Sequence, residues 1–174
     1  MSARRLFGLA DRVFSSASEL EALLASIGFT AQVLQLEGGA LRGRFQFVSD
    51  QHIGVLRLQT SHCISVSCQP QKEMICCGLE VDGAPDVASA HGQRIAAHAV
   101  AGVSLSVTHS FFQFWPEADV LIALLPKQAL LAQLEICGGE QCLRWMQSHN
   151  QLLLQPQAHQ ALVRQLLQWM IDPG

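Results

Sequence analysis

Tyrosine is absent from the sequence, and three Trp and eight Phe bring the aromatic residues to only 6%. The missing Tyr removes one common general acid. Charge is scarce too. Asp, Glu, Lys and Arg make up 14% of 174 residues, where about 25% is usual. Disordered chains and coiled coils need many charges, so both are excluded. Eleven Lys and Arg stand against fourteen Asp and Glu, a formal charge of −3. A chain this poor in basic residues is ill equipped to hold nucleic acid by its own phosphate contacts. So few charges on so apolar a chain also suggest that a partner covers part of the surface.

The common catalytic signatures are missing as well. There is no GxSxG, no HExxH and no Gly-rich phosphate loop before a helix. Seven His raise the question of a metal-binding barrel: His52, His62, His91, His98, His109, His149 and His159. Such a site needs an HxH pair, which points two imidazoles from one strand face at one ion, and a Glu a few residues on. No HxH exists. His91 and His98 fall on opposite faces of a regular strand, and no carboxylate lies within five residues of His98. The six cysteines, Cys63, Cys68, Cys76, Cys77, Cys137 and Cys142, include no CxxC. A chain this long builds a core without staples, so they read as free, mostly buried thiols in a reducing cytoplasm.

No targeting segment stands out. MSARRLFGLADRVF carries Arg4, Arg5 and Arg12, has no long apolar core, and is not read as a secretory signal. The longest uncharged stretch runs from Ile95 to Pro116 and contains His98, Ser104, Ser106, Thr108, His109 and Gln113. It is a poor membrane span, and strands fit it better. The expected compartment is the cytoplasm, with no membrane partner.

What is present is a helix, many short strands and more helices. Ser18 and Glu21 fit a capping box. Leu20, Leu23, Leu24 and Ile27 share a face, and Gly28 ends a helix over 18–27. From Phe29 the period changes to two, with turn signals at Glu37-Gly38-Gly39, Asp82-Gly83-Ala84-Pro85, His91-Gly92-Gln93 and Trp115-Pro116-Glu117. Closely spaced short strands indicate a barrel or sandwich. Val103, Leu105 and Val107 alternate with Ser104, Ser106 and Thr108 as one such strand, and Ala118–Leu125 is the last. Pro126 then suits a helix N1 position, Glu140–Ser148 looks helical, and Pro156 opens a final helix. Arg42 and Arg44, two apart, read as an anion clamp or, more plainly, a solvated strand face.

Several segments in order resemble the N-terminal regulatory domain of AraC-type transcription regulators. Val33-Leu-Gln-Leu-Glu-Gly-Gly-Ala-Leu-Arg-Gly-Arg-Phe45 is similar to that family's xxQLxxGxLxGxL approach to the first hairpin. Ile53-Gly-Val-Leu-Arg-Leu58 resembles the strand that follows. Asp119-Val-Leu-Ile-Ala-Leu-Leu-Pro-Lys-Gln-Ala-Leu-Leu131 and Leu152-Leu-Leu-Gln-Pro156 resemble its exit strand and closing helix. The likeness spans about residues 14 to 171. The family's C-terminal DNA-binding pattern is absent, which suggests a fragment or a natural truncation.

The expected fold is therefore α+β, a cupin-like antiparallel β-barrel or jelly roll preceded by a short helix and followed by two or three helices. Residues 1–17 form an arm, 18–125 the first helix and barrel, and 126–174 a helical dimerisation segment. The resemblance implies effector sensing without catalysis, with DNA contacted only through the missing domain. No cofactor or metal is expected. A small effector would lie in the barrel, against the inward faces of Val66, Cys68, Met74, Cys76, Val103, Leu105 and Val107. A homodimer is expected through Leu162, Val163, Leu166, Trp169 and Met170, since Arg164 is the only charge on that apolar helix. A small metal-dependent cupin enzyme and a stand-alone module that pairs with a full-length regulator remain alternatives.

Overall fold

The computed structural model describes residues 8–50, 53–69, 74–104, 109–137 and 139–172. Among them the chain is α+β, with twelve strands in two antiparallel sheets and four helices. In chain order the elements are β1 (Gly8–Phe14), α1 (Ala17–Ser26), β2 (Thr30–Gln35), β3 (Gly43–Ser49), β4 (Gly54–Thr60), β5 (Ile64–Gln69) and β6 (Met74–Glu80). There follow β7 (Ala88–Ala90), β8 (Gln93–Arg94), β9 (Ala99–Ala101), β10 (Ser110–Phe114) and β11 (Ala118–Pro126). The chain closes with α2 (Lys127–Cys137), α3 (Gly139–Ser148), β12 (Gln151–Leu153) and α4 (Pro156–Ile171).

The pairing is nested. β7 pairs with β8 across a tight turn in which His91 and Gly92 both have positive φ, as a two-residue hairpin of matching twist requires. Outside that pair, β6 meets β9, β5 meets β10, and β4 meets β11. Ladders β11·β6 and β10·β7 then knit the ribbon sideways. The result is a seven-stranded sheet, β1-β3-β4-β11-β6-β9-β12, facing a five-stranded sheet, β2-β5-β10-β7-β8.

No ladder joins the two sheets among the described residues, so the expected closed barrel is corrected to an open sandwich. At one seam α1 packs against β2 and β1, so side chains fill that edge in place of backbone bonds. The alternation read from the sequence puts Phe45, Phe47, Leu56, Leu58, Val66, Phe112, Phe114 and Ile122 between the sheets, joined there by Leu20 and Leu24 of α1.

The first helix starts earlier than the sequence suggests. Ser16 is its cap, accepting from the Glu19 N–H at 3.2 Å, and Glu19 accepts from the Ser15 N–H at 2.6 Å. Starting there leaves Glu21 free to accept from the Val33 N–H at 2.7 Å, on edge strand β2. The stop falls at Gly28, φ 93°, where the Gly28 N–H reaches Ala25 and the Phe29 N–H reaches Leu24. These two bonds make a Schellman cap.

The arm assigned to residues 1–17 contains a strand. β1 runs antiparallel to β3 over all seven of its residues. Its outward side chains, Leu9 and Val13, are exposed while Ala10 and Phe14 face the core, so no hydrophobic-in pattern marked it. Gly43 lets Phe14 in, since a Cβ there would lie 2.1 Å from the Phe14 ring and 2.5 Å from the Gln59 carbonyl. Pro126 ends β11 rather than opening α2. Of the strand expected around Val103–Val107, Val103 and Ser104 follow β9 outside any strand, and residues 105–107 lie outside the described residues.

Helices α2, α3 and α4 all back the seven-stranded sheet. Val163 of α4 is buried on Val55, Leu79 and Leu121, with Leu162, Leu166, Leu167, Trp169 and Met170 packed around it. Met146 of α3 and Leu130 and Leu134 of α2 cover Ile75, Cys77 and Val103. No described helix is long and apolar enough to cross a membrane.

Candidate functional site: an apolar lumen under the first helix

Between the sheets lies a cavity lined by side chains from α1, β4, β5, β6, β10 and β11. Leu20 and Leu24 form its roof, Phe112 and Phe114 one wall, and Ile122 and Leu124 the opposite one. The centre of a water-sized sphere can reach about 40 Å³ of it. One such sphere needs about 10–15 Å³, so the space suits an apolar molecule of a few heavy atoms. No charged side chain borders it.

Two thiols and a hydroxyl are the polar features near the lumen. Burial pushes the Cys68 thiol up to about 11 and the Cys76 thiol up to about 12, while a hydrogen bond with Ser110 pulls each down slightly. Cys76 is raised further by Cys68, which places both thiols and Ser110 in one cluster. Ser110 stands directly opposite Cys68 in the β10·β5 ladder. Thiols this reluctant to ionise are poor nucleophiles at neutral pH. Their chemistry here is that of small, polarisable hydrophobes.

The structure brings together some of the residues expected at an effector site and scatters others. Val66, Cys68 and Cys76 line the cavity, and Met74 packs at the margin of the same core. Val103 does not join them. It lies behind the seven-stranded sheet with Ile75, Cys77 and Met146, because the chain leaves the β9 ladder at Gly102, φ 81°, and turns its side chain outward. Leu105 and Val107 lie outside the described residues. Sequence reasoning missed the roof and the β10 wall. Phe112 and Phe114 alternate with Phe111 and Gln113, and Leu20 and Leu24 are one turn apart, so both signals were present.

The helix stripe expected at a dimer seam packs in part on the chain's own sheet. Val163 is buried, and Leu162, Leu166, Trp169 and Met170 are half-buried on the chain's own sheet. Beyond α4's last turn, a groove of about 430 Å³ of water-accessible space runs between Met170, Ile171, Leu9 and Val48, over Arg44 and Arg57.

The two strand arginines do not form a clamp. Arg44 makes a bidentate pair with Asp11, at 2.7 and 2.9 Å, and the guanidinium holds that carboxyl below the usual range. Arg42 precedes β3 and is exposed. A second bidentate pair, Arg57 on Asp119 at 2.6 and 2.8 Å, is half-buried and is joined by Gln59 at 2.9 Å.

The histidines are dispersed. His91 sits in the β7–β8 turn against Phe112, His149 stacks on Trp145, and His98 meets His159 of α4. Among the described residues no three His, Cys, Asp or Glu side chains are placed to hold a metal ion. No protein-family model, curated protein or solved structure matches the chain.

Proposed function

We propose that the chain is a sensing domain of the AraC-type regulator kind, built on a cupin-like jelly roll, which takes a small apolar effector between its sheets. The observation that carries this reading is the uncharged lumen roofed by α1. The nested pairs β4·β11, β5·β10, β6·β9 and β7·β8 support the fold part of it. A ribbon wrapped so that alternate strands fall in opposite sheets is the jelly-roll plan. The quoted segments also fall at matching places. Val33–Phe45 carries β2 into β3, Asp119–Leu131 carries β11 into α2, and Leu152–Pro156 carries β12 into α4.

In this reading α1 is the moving part. It is tethered to β2 by the Glu21–Val33 hydrogen bond and to the core by Leu20 and Leu24. An effector larger than the lumen raises it, and a helix-turn-helix domain elsewhere in the regulator answers. The α4 stripe faces the chain's own sheet, so dimerisation is not part of the proposal.

A thermal-shift screen of small apolar metabolites tests the reading, run on the chain and on Cys76→Leu, which fills the lumen. A true effector at a hundredfold excess over its Kd stabilises by about 2.7 kcal/mol. For a domain of this size that raises Tm by about 5–10 °C. The shift should vanish in Cys76→Leu. An equal shift in that variant, no shift from any compound, or a stoichiometric metal ion in the purified protein would overturn the proposal.

A further inference from the structure

The lumen leaves one contact between ionisable side chains unexplained, that of buried His159 with half-buried His98. His159 lies in the first turn of α4 and is 1% exposed. Its ring stands edge-on to His98, with centroids 5.3 Å apart and planes at 64°. Neither ring nitrogen of His159 has a hydrogen-bond partner, nor does Nδ1 of His98. A buried polar group without a partner is a standing cost, so its retention needs a reason.

The backbone is shaped around the pair. His98 has φ 56°, a left-handed conformation uncommon for a residue with a Cβ. It is held by its N–H to the Gly83 carbonyl at 3.3 Å and by its carbonyl to the Leu154 N–H at 3.1 Å. Gly83 has φ 72°, and a Cβ there would lie 2.3 Å from His98 Nδ1 and 3.3 Å from His159 Cε1. The turn after β6, the loop before β9 and the start of α4 therefore meet at two imidazoles.

We propose that His159, packed against His98, forms an acid-sensitive latch, which holds α4 on the seven-stranded sheet while the His159 ring is neutral and lets it go when that ring takes up a proton. Closed, the His159 ring is buried and neither of its nitrogens makes a hydrogen bond. Burial, and next the neighbouring His98, hold its pKa below the ordinary imidazole value of 6.5, against a smaller pull from the Glu80 backbone carbonyl. With α4 lifted, the ring meets water and takes the proton at its ordinary pKa. The open state then binds more protons, so the closed state is fully favoured above about pH 6.5 and loses ground as pH falls below it.

The charged groups around the pair are few. β6 and its turn present Glu80 and Asp82, the loop before β9 presents His98, and α4 carries Arg164 one turn beyond His159. Glu80 is buried and its carboxylate accepts from the Ala84 N–H at 2.8 Å. Burial, more than any other cause, raises its pKa. Protonation of Glu80 therefore favours the folded state on acidification, the opposite sign to the latch.

Hydrogen exchange on the whole chain between pH 7.5 and 5.0 tests this, with each amide normalised to its intrinsic rate. Protection in α4, from Val163 to Met170, should fall as pH drops below about 6.5, at a slope of at most about tenfold per pH unit for one proton, while protection in β5 holds. His159→Phe should flatten the α4 profile, and His159→Gln serves equally if the first variant folds poorly. Glu80→Gln should keep the slope. A flat α4 profile in the unaltered chain, an unchanged slope in the His159 variants, or equal loss in β5 would overturn the latch.

Discussion

The two sheets are built from similar strands and differ in what covers them. Strand β6 of the seven-stranded sheet is buried at every position after Met74, and β11 nearly so. Their outward residues, Leu79, Leu121, Ile75 and Cys77, lie beneath α2, α3 and α4. The five-stranded sheet alternates. Val66, Phe112 and Phe114 face the lumen, while Gln32, Leu34, Ser67 and Phe111 are exposed on a face that none of those helices backs. A sheet covered on both faces needs continuous apolar runs and a half-covered one needs alternation. One feature of the sequence thus separates the structural face from the face that borders solvent.

Substitutions that keep the fold but remove the cover break the comparison most strongly. Leu121→Ala, on the outward face of β11 under α4, should cost about 2–5 kcal/mol. Ser67→Ala, the equivalent outward position on β5, should stay within about 0.5 kcal/mol. Urea midpoints at constant m-value read both. Asp119→Asn should cost less, about 1–2 kcal/mol, because it frees half-buried Arg57 from a charge-assisted pair that is partly in water. Asp11→Asn, which frees an exposed Arg44, should leave the midpoint unchanged. Equal effects of Leu121→Ala and Ser67→Ala would mean that the helix layer is not what distinguishes the sheets.

Much of this was legible in the residues. The turns at Gly38, Gly83 and Gly92, the Gly28 helix stop and the Pro156 helix start were all in the sequence, because each rests on local backbone chemistry. The alternation of Phe45, Phe47, Val66 and Cys68 gave part of the core, with Val66 and Cys68 on the lumen. Long-range effects were less visible. β1 exposes Leu9, Arg12 and Val13, so only its pairing with β3 makes it a strand. β12 has three residues and exists because β9 offers an edge. Val103 alternates like a lumen residue but follows Gly102, whose left-handed turn sends it to the helix layer. How much of the α4 stripe the chain's own sheet covers was not legible, because the sequence does not say how much of the sheet lies beneath it. The His98–His159 contact joins residues 61 positions apart, and no short motif announces it.

Xenon binding followed by methyl NMR tests the lumen most directly, since xenon enters dry apolar cavities and needs no effector to be identified. Xenon pressure should shift the methyl resonances of Leu20, Leu24, Val66, Ile122 and Leu124, and Cys76→Leu should abolish those shifts. Shifts centred on Val55, Leu79 and Leu121 beneath α4, or no shifts at all, would contradict an apolar lumen roofed by α1.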